Sequence, residues 1–438
     1  MADRNTLDQR SFWNPAWPAA LEGLLLVLLS SVDLLMVSRL GSNATSAVGV
    51  FSQPKMVLLC FPRAFSVAIT ARLSMLLGQQ RWEELSPTLK QATLLALIPM
   101  SLLLIGAGLA LEPILRLAGA ESDYLSLALD YGRPMLWSLL FYALSTVLQS
   151  GLLAMGFTRR MLAANAIGNL LNIFCNLLLI PRYGVGGAGV GTAIGSAITL
   201  ILTILLLQSP SAPIHLRGLG GWQPSVACWQ GLSSVFRGTL AEQGAERVGM
   251  FLYSRLAAGL GTMPFAVHTV CMNLCDLYYC FAQGMGKASL ALSAYYTGCG
   301  QTKEWRQRLV GAQRLGLLLS GMAFALYVLF RWPLVTLFLP DTAAMALGST
   351  ILILVGLVSF PEAQALLCAG ALRGMGQTRF VALYSLLSIA VLRPILTWLL
   401  CYPLGLSLYG AWVALLLDQT VRAVCATWGC FSRQRMYL

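Results

Sequence analysis

Apolar runs of roughly twenty residues, bounded by Gly, Pro or charged positions, alternate along the chain with short polar connections. They centre near Leu26, Leu59, Leu97, Leu140, Leu171 and Leu200, then near Phe251, Leu277, Leu318, Leu357, Ile389 and Leu416. A helix needs ~20 apolar residues to cross a hydrocarbon core. The pattern therefore predicts an all-α chain of twelve transmembrane helices. The longest connection, with Pro210, Pro213, Gly218, Gly220, Gly221 and Pro224, divides six runs from six. It predicts an N-terminal lobe over 1–207, a flexible cytoplasmic linker over 208–231 and a C-terminal lobe over 232–438.

An internal repeat supports that division. Ala154-Met155-Gly156-Phe157-Thr158-Arg159 returns 220 positions later as Gly374-Met375-Gly376-Gln377-Thr378-Arg379. Cys60-Phe61 and Cys280-Phe281 share the offset, as do Leu40-Gly41 and Leu260-Gly261. Three coincidences in one register argue for duplication. Two lobes of six spans each start from the same membrane face, so their symmetry axis is expected along the membrane normal, with a cleft between them that opens to each side in turn.

Composition agrees with this solvent assignment. Of 438 residues, 57% are hydrophobic and 11% charged, against roughly 25% charged in soluble domains; mean hydropathy is +0.72. The first apolar run, Pro15 to Val37, exceeds the ~7–15 residues of a signal-peptide core and reads as a span. The net charge of +12 is explained by topology rather than by nucleic acid. Arg4, Arg10, Arg81, Lys90, Arg159, Arg160, Arg217, Lys303, Arg306, Arg308, Arg379, Arg433 and Arg435 fall on one side; Arg39, Arg116, Arg133, Arg182 and Arg331 fall on the other. The first side is expected to be cytoplasmic, with both termini inside. Eleven cysteines form no CxxC pair and only two histidines exist, so no metal site is expected.

Chemistry then rests on the ionisable residues within the runs. Asp33, Glu246 and Glu362 lie deep in predicted spans, where a charge costs ~2.5–3.5 kcal/mol. A carboxyl in a low-dielectric setting favours its protonated form, so it can take a proton from one side and release it on the other; alternatively its oxygens hold Na⁺. Glu242 stands one turn before Glu246 and is placed to share a proton or ion with it. Asp276 is mid-span, and Asp418 is spaced to pair with Arg422 at i,i+4. Arg63, Lys287 and Arg393 are deep cations, suited either to neutralise the carboxylates or to bind an anionic head group. Tyr142, Tyr253, Tyr278 and Tyr279, with Asp276, are candidates to line a substrate cleft, because aromatic faces beside carboxylates suit an amphipathic cation. Pro361, just before Glu362, predicts a kink that opens the helix there.

These motifs resemble the multidrug and toxic compound extrusion (MATE) family over about Pro15 to Phe431. The similarity rests on Asp33-Leu34-Leu35-Met36-Val37-Ser38-Arg39-Leu40-Gly41, Asn165-Ala166-Ile167-Gly168-Asn169-Leu170-Leu171-Asn172, Tyr183-Gly184-Val185-Gly186-Gly187-Ala188-Gly189, Gly370-Ala371-Leu372-Arg373-Gly374-Met375-Gly376-Gln377-Thr378 and Leu392-Arg393-Pro394. The resemblance implies a two-lobed, plasma-membrane antiporter that exports organic cations or drugs against inward H⁺ or Na⁺, without enzymatic activity. It implies ion or proton coupling at Asp33, Asn172, Glu246 and Glu362. Many proton-coupled relatives have an aspartate where this chain has Asn176, which shifts the expected coupling centre to Glu246 and Glu362. No cofactor is implied beyond the coupling ion. The expected partners are a small cationic amphipath and membrane lipid, not nucleic acid, and the working unit is expected to be a monomer. The rival reading is a flippase for a lipid-linked precursor whose pyrophosphate Arg63, Lys287 and Arg393 would hold.

Overall fold

The computed structural model describes residues 12–120, 122–209, 214–216, 221–223, 225–338 and 342–432. Arg4, Arg10, Arg217, Arg433 and Arg435, and the chain breakers Pro210, Pro213, Gly218, Gly220 and Pro224, lie outside the described residues.

Among the described residues every regular element is helical. The first half contains α1 (Trp13–Ser38), α2 (Ser42–Gly78), α3 (Trp82–Leu109), the short α4 (Leu111–Leu117), α5 (Ser122–Ala154) and α6 (Thr158–Leu207). α6 is two rods broken at Gly184, whose φ of 58° and ψ of −138° is a conformation glycine tolerates for want of a Cβ. The second half contains α7 (Val226–Ala258), α8 (Thr262–Gly298), α9 (Thr302–Leu329), the short α10 (Arg331–Thr336), α11 (Thr342–Gly374), α12 (Thr378–Ser385), a π-helical segment Leu386–Leu392, α13 (Arg393–Cys401) and α14 (Ser407–Ser432). α12, the π-helical segment and α13 follow without a gap as one rod. Each half thus has six long rods, and each of the twelve predicted run centres falls in a different one. Among the described residues, seven helices are long and apolar enough to cross a membrane by length and composition alone.

Helix boundaries repeat with the sequence. α2 and α8, α3 and α9, and α5 and α11 each start and end 220 positions apart. The connecting backbones repeat too: φ is 111° at Gly41 and 108° at Gly261, and 73° at Gly156 and 77° at Gly376. These are left-handed positions where a helix has just ended, the place that favours glycine.

Large apolar side chains cover the outer surface as well as the core. On α3, Ile98, Leu102, Ile105 and Leu109 form an exposed stripe, while Leu85, Leu89, Ala92, Ala96 and Met100 are buried. A helix apolar on all sides fits a lipid surround. Small residues on the inner faces let backbones approach. On the second rod of α6, Gly187, Gly191 and Gly195 recur every four residues; a Cβ at Gly195 would stand 2.7 Å from Asn172 Cβ and 2.8 Å from the Gly168 carbonyl oxygen.

The chain divides into two compact units. One is Leu21–Phe236; the other is Arg237–Leu438 together with the start of α1 up to Ala20. The core of the first gathers Phe51, Leu59, Met100, Leu115, Tyr131 and Ile180. In the second, Tyr296, Trp305, Met285 and Leu367 form one cluster, joined by Ala16 of α1, and Tyr253, Val355 and Trp412 form another. Within the expected linker, the described residues make a few contacts. Ile214 is fully buried, the His215 backbone N–H donates to Ser86 Oγ at 2.9 Å, Lys90 lies 5.9 Å from the Trp222 ring centroid, and helix resumes at Val226. The His215 backbone and Trp222 thus meet α3, which composition in Pro and Gly does not reveal.

Candidate functional site

In the first unit, three predicted residues meet. The first rod of α6 carries Asn172 and Asn176 one turn apart, both buried, and α1 carries Asp33. Asn176 Nδ2 donates to Asp33 Oδ1 at 2.8 Å and lies 3.5 Å from Asn172 Oδ1; Asn172 Nδ2 donates to Thr192 Oγ1 at 3.1 Å. Lys55 of α2 is the cation whose charge acts on Asp33. The amide at 176 donates to the carboxylate directly and leaves its Oδ1 buried without a partner. An acid at this position would set two acceptors face to face and require a proton or cation between them.

Sequence reading missed a second polar cluster in this unit. Glu22 is 7% exposed and accepts from Asn165 Nδ2 at 2.9 Å; Gln149 Nε2 donates to Asn165 Oδ1 at 2.8 Å and to Thr203 Oγ1 at 3.2 Å. The signal was available: Glu22 precedes Glu242 by the 220 residues of the repeat.

The second unit holds most of the buried charge. Glu242 is gripped at both oxygens by Arg373, whose Nε donates to Oε2 at 3.0 Å and Nη2 to Oε1 at 2.6 Å, with Ser385 Oγ at 3.4 Å from Oε1. A bidentate guanidinium satisfies the carboxylate, so both oxygens of Glu242 are engaged by Arg373. Glu246 Oε1 accepts from Tyr279 OH at 2.9 Å and lies 3.6 Å from Arg247 Nη2. Asp418 does not pair with Arg422 as helical spacing suggested. Its Oδ2 accepts from Arg393 Nε at 3.0 Å and also from Arg393 Nη2, and its Oδ1 accepts from Ser388 Oγ. Ser388 lies in the π-helical segment and Arg393 follows it directly; this widened stretch, of a kind often found at functional positions, presents both groups to α14. With Arg393 so committed, one of the three cations of the flippase reading is taken. Arg63 and Lys287 are half-buried.

Glu362 is 4% exposed, and its Oε2 has no hydrogen-bond partner among the described residues. α11 remains a single helix through Pro361 from Thr342 to Gly374.

The expected cleft residues separate into two groups. Tyr253 is fully buried, donates its hydroxyl to the Ala411 carbonyl at 3.2 Å and packs edge-on to His268. Tyr278 is also buried, its hydroxyl 2.6 Å from Ser320 Oγ. Both lie in the interior; an aromatic residue at helical spacing suits a core as well as a cleft. Tyr142 and Tyr279 are half-buried and Asp276 is exposed, so these three keep accessible surface.

Comparison with known proteins follows the same lines. A protein of Mannheimia succiniciproducens named a probable multidrug resistance protein NorM is 24% identical over 433 residues, covering 92% of this chain and 89% of that protein. Among solved structures, a MATE transporter of Vibrio cholerae superimposes with a TM-score of 0.91 at 16% identity, over 99% of this chain and 98% of the other. A MOP superfamily transporter from Pyrococcus furiosus, described as having a binding pocket of reversed polarity that suggests a different function, gives a TM-score of 0.90 at 20% identity, over 97% and 95%. The MatE family model matches residues 18–178 and again 239–399, one copy in each half. With the family model matching both halves in the order of the repeat, the chain belongs to the MatE family.

Proposed function

We propose that this protein is a multidrug efflux transporter of the plasma membrane that exports cationic amphipathic molecules by antiport against inward H⁺ or Na⁺, with both termini in the cytoplasm and no enzymatic activity. The family and its NorM relatives support efflux. The observation that carries antiport is Glu362, a carboxyl buried in a helix interior with one oxygen unpartnered. A buried acid without a full set of partners is costly, and that cost is met when the group binds and releases an ion. Ion or proton binding at Glu246 and Glu362 stabilises one conformation and substrate favours the other, so the two exclude each other.

Purified protein in liposomes tests this reading. An imposed inward gradient of H⁺ or Na⁺ moves ethidium in the wild type, and Glu246→Gln and Glu362→Gln each abolish that movement while keeping the wild-type elution volume. Undiminished coupling in both variants would remove these residues from the mechanism.

A further inference from the structure

Three guanidinium groups enter the interior of the second unit. Arg373 is held by Glu242 and Arg393 by Asp418. Arg422 differs: it is 6% exposed, its Nη1 reaches only Gln419 Oε1 at 3.5 Å, and its Nε has no partner among the described residues. The carboxyl that is similarly incomplete is Glu362. Arg422 points inward by the sidedness of α14, on which Leu417, Val421, Val424 and Trp428 form the exposed stripe. Its charge acts on Asp418 and Tyr384 first, then on Glu246 and Glu242, and it also acts on Glu362; Tyr279 of α8 and Arg373 of α11 lie in the same field. Other ionisable groups that interact electrostatically with Glu362 include Glu246 of α7, Cys275, Asp276 and Tyr278 of α8, Tyr327 of α9 and Arg393 of α13. The rod of α6 after Gly184, which closes the first unit as α14 closes the second, has no charged residue, so this cation belongs to one repeat alone.

A buried guanidinium N–H without an acceptor and a buried carboxylate oxygen without a donor are each unfavourable, and they cancel when brought together. An arginine side chain is long enough to exchange partners within one bundle. We infer that Arg422 is the resident counter-ion of the Glu246–Glu362 centre: when the proton leaves for water, Arg422 supplies the positive charge that Na⁺ would otherwise bring, so coupling is to H⁺ and independent of Na⁺. Arg422 is a specificity-determining residue of the antiport proposed above, and the inference rests on that reading.

The test uses wild type, Arg422→Gln and Arg422→Lys in liposomes, reading ethidium movement under a pH gradient alone or a Na⁺ gradient alone, and binding of radioactive Na⁺. Wild type is expected to follow the pH gradient, ignore the Na⁺ gradient and retain no Na⁺. Arg422→Gln loses pH-driven movement by at least about tenfold and acquires Na⁺ binding, which a merely structural change would not create. Arg422→Lys keeps the wild-type ion choice. Na⁺ binding by the wild type, or an unchanged ion choice in Arg422→Gln, overturns the inference while leaving antiport intact. Should neither gradient move dye in the wild type, antiport and the inference fall together. If Arg422→Gln does not fold, Na⁺ binding by the wild type and the Lys variant decide.

Discussion

Buried charges in this protein are resolved one residue at a time, and the resolution predicts unequal consequences. Glu242 and Arg373 form a bidentate pair in the interior. Removing one member of such a pair strands the other, at about 3–5 kcal/mol. Arg373→Ala is therefore expected to lower the midpoint of thermal unfolding in detergent sharply, and adding Glu242→Leu to Arg373→Met should recover most of the loss. A double variant no more stable than the single one would show that the pair is not the source of the effect. Two tyrosines give a second contrast. Tyr253 donates to a backbone carbonyl in the core and Tyr279 to Glu246. Tyr253→Phe should cost about 1 kcal/mol of stability with dye transport unchanged, whereas Tyr279→Phe should alter transport under the driving gradient with little change in unfolding midpoint.

At the scale of elements, glycine spacing positions the polar side chains. A Cβ added at Gly191 would collide with Asn176 Oδ1, whereas at Gly195 it would meet Asn172 Cβ and the Gly168 carbonyl. Where the two α6 rods pack, Asn176 Oδ1 lies against Gly191 while its Nδ2 donates to Asp33. Gly191→Ala is expected to displace the amide, and the effect on transport should match that of Asn176→Ala; Gly195→Leu, which meets backbone, should prevent the first unit from packing and abolish accumulation of folded protein. Transport by Gly191→Ala equal to wild type would separate the asparagine from the glycine stripe. The π-helical segment acts similarly in the second unit, since it brings Ser388 and Arg393 to Asp418.

At the scale of the whole molecule, duplication and charge bias together make a topological prediction. From helix ends that repeat at 220 residues in units of six rods, equivalent connections are expected on one membrane face. Leu117 and Leu337 are exposed beside the two short helices, and Gln80 and Gln301 are exposed before α3 and α9. In intact cells an impermeant maleimide should label Leu117→Cys and Leu337→Cys above the wild-type background and leave Gln80→Cys and Gln301→Cys unlabelled. Labelling of one member of either pair without the other would contradict parallel duplication.

Twelve apolar runs, their division into two sets and the repeat were all legible in the chain, because span length and helix termination are local properties set by a hydrocarbon surround and by Gly at left-handed positions. The acids worth examining were legible for the same reason, since a charge in an apolar run is conspicuous. Pairing was not. Helical spacing offers Arg422 to Asp418, yet Arg393 and Ser388 from another rod take it; Glu242 stands a turn from Glu246 but is claimed by Arg373; Tyr253 lies in the core. Those outcomes depend on which rods touch, and long-range distance between helices is decided by tertiary packing, which one-dimensional spacing does not encode.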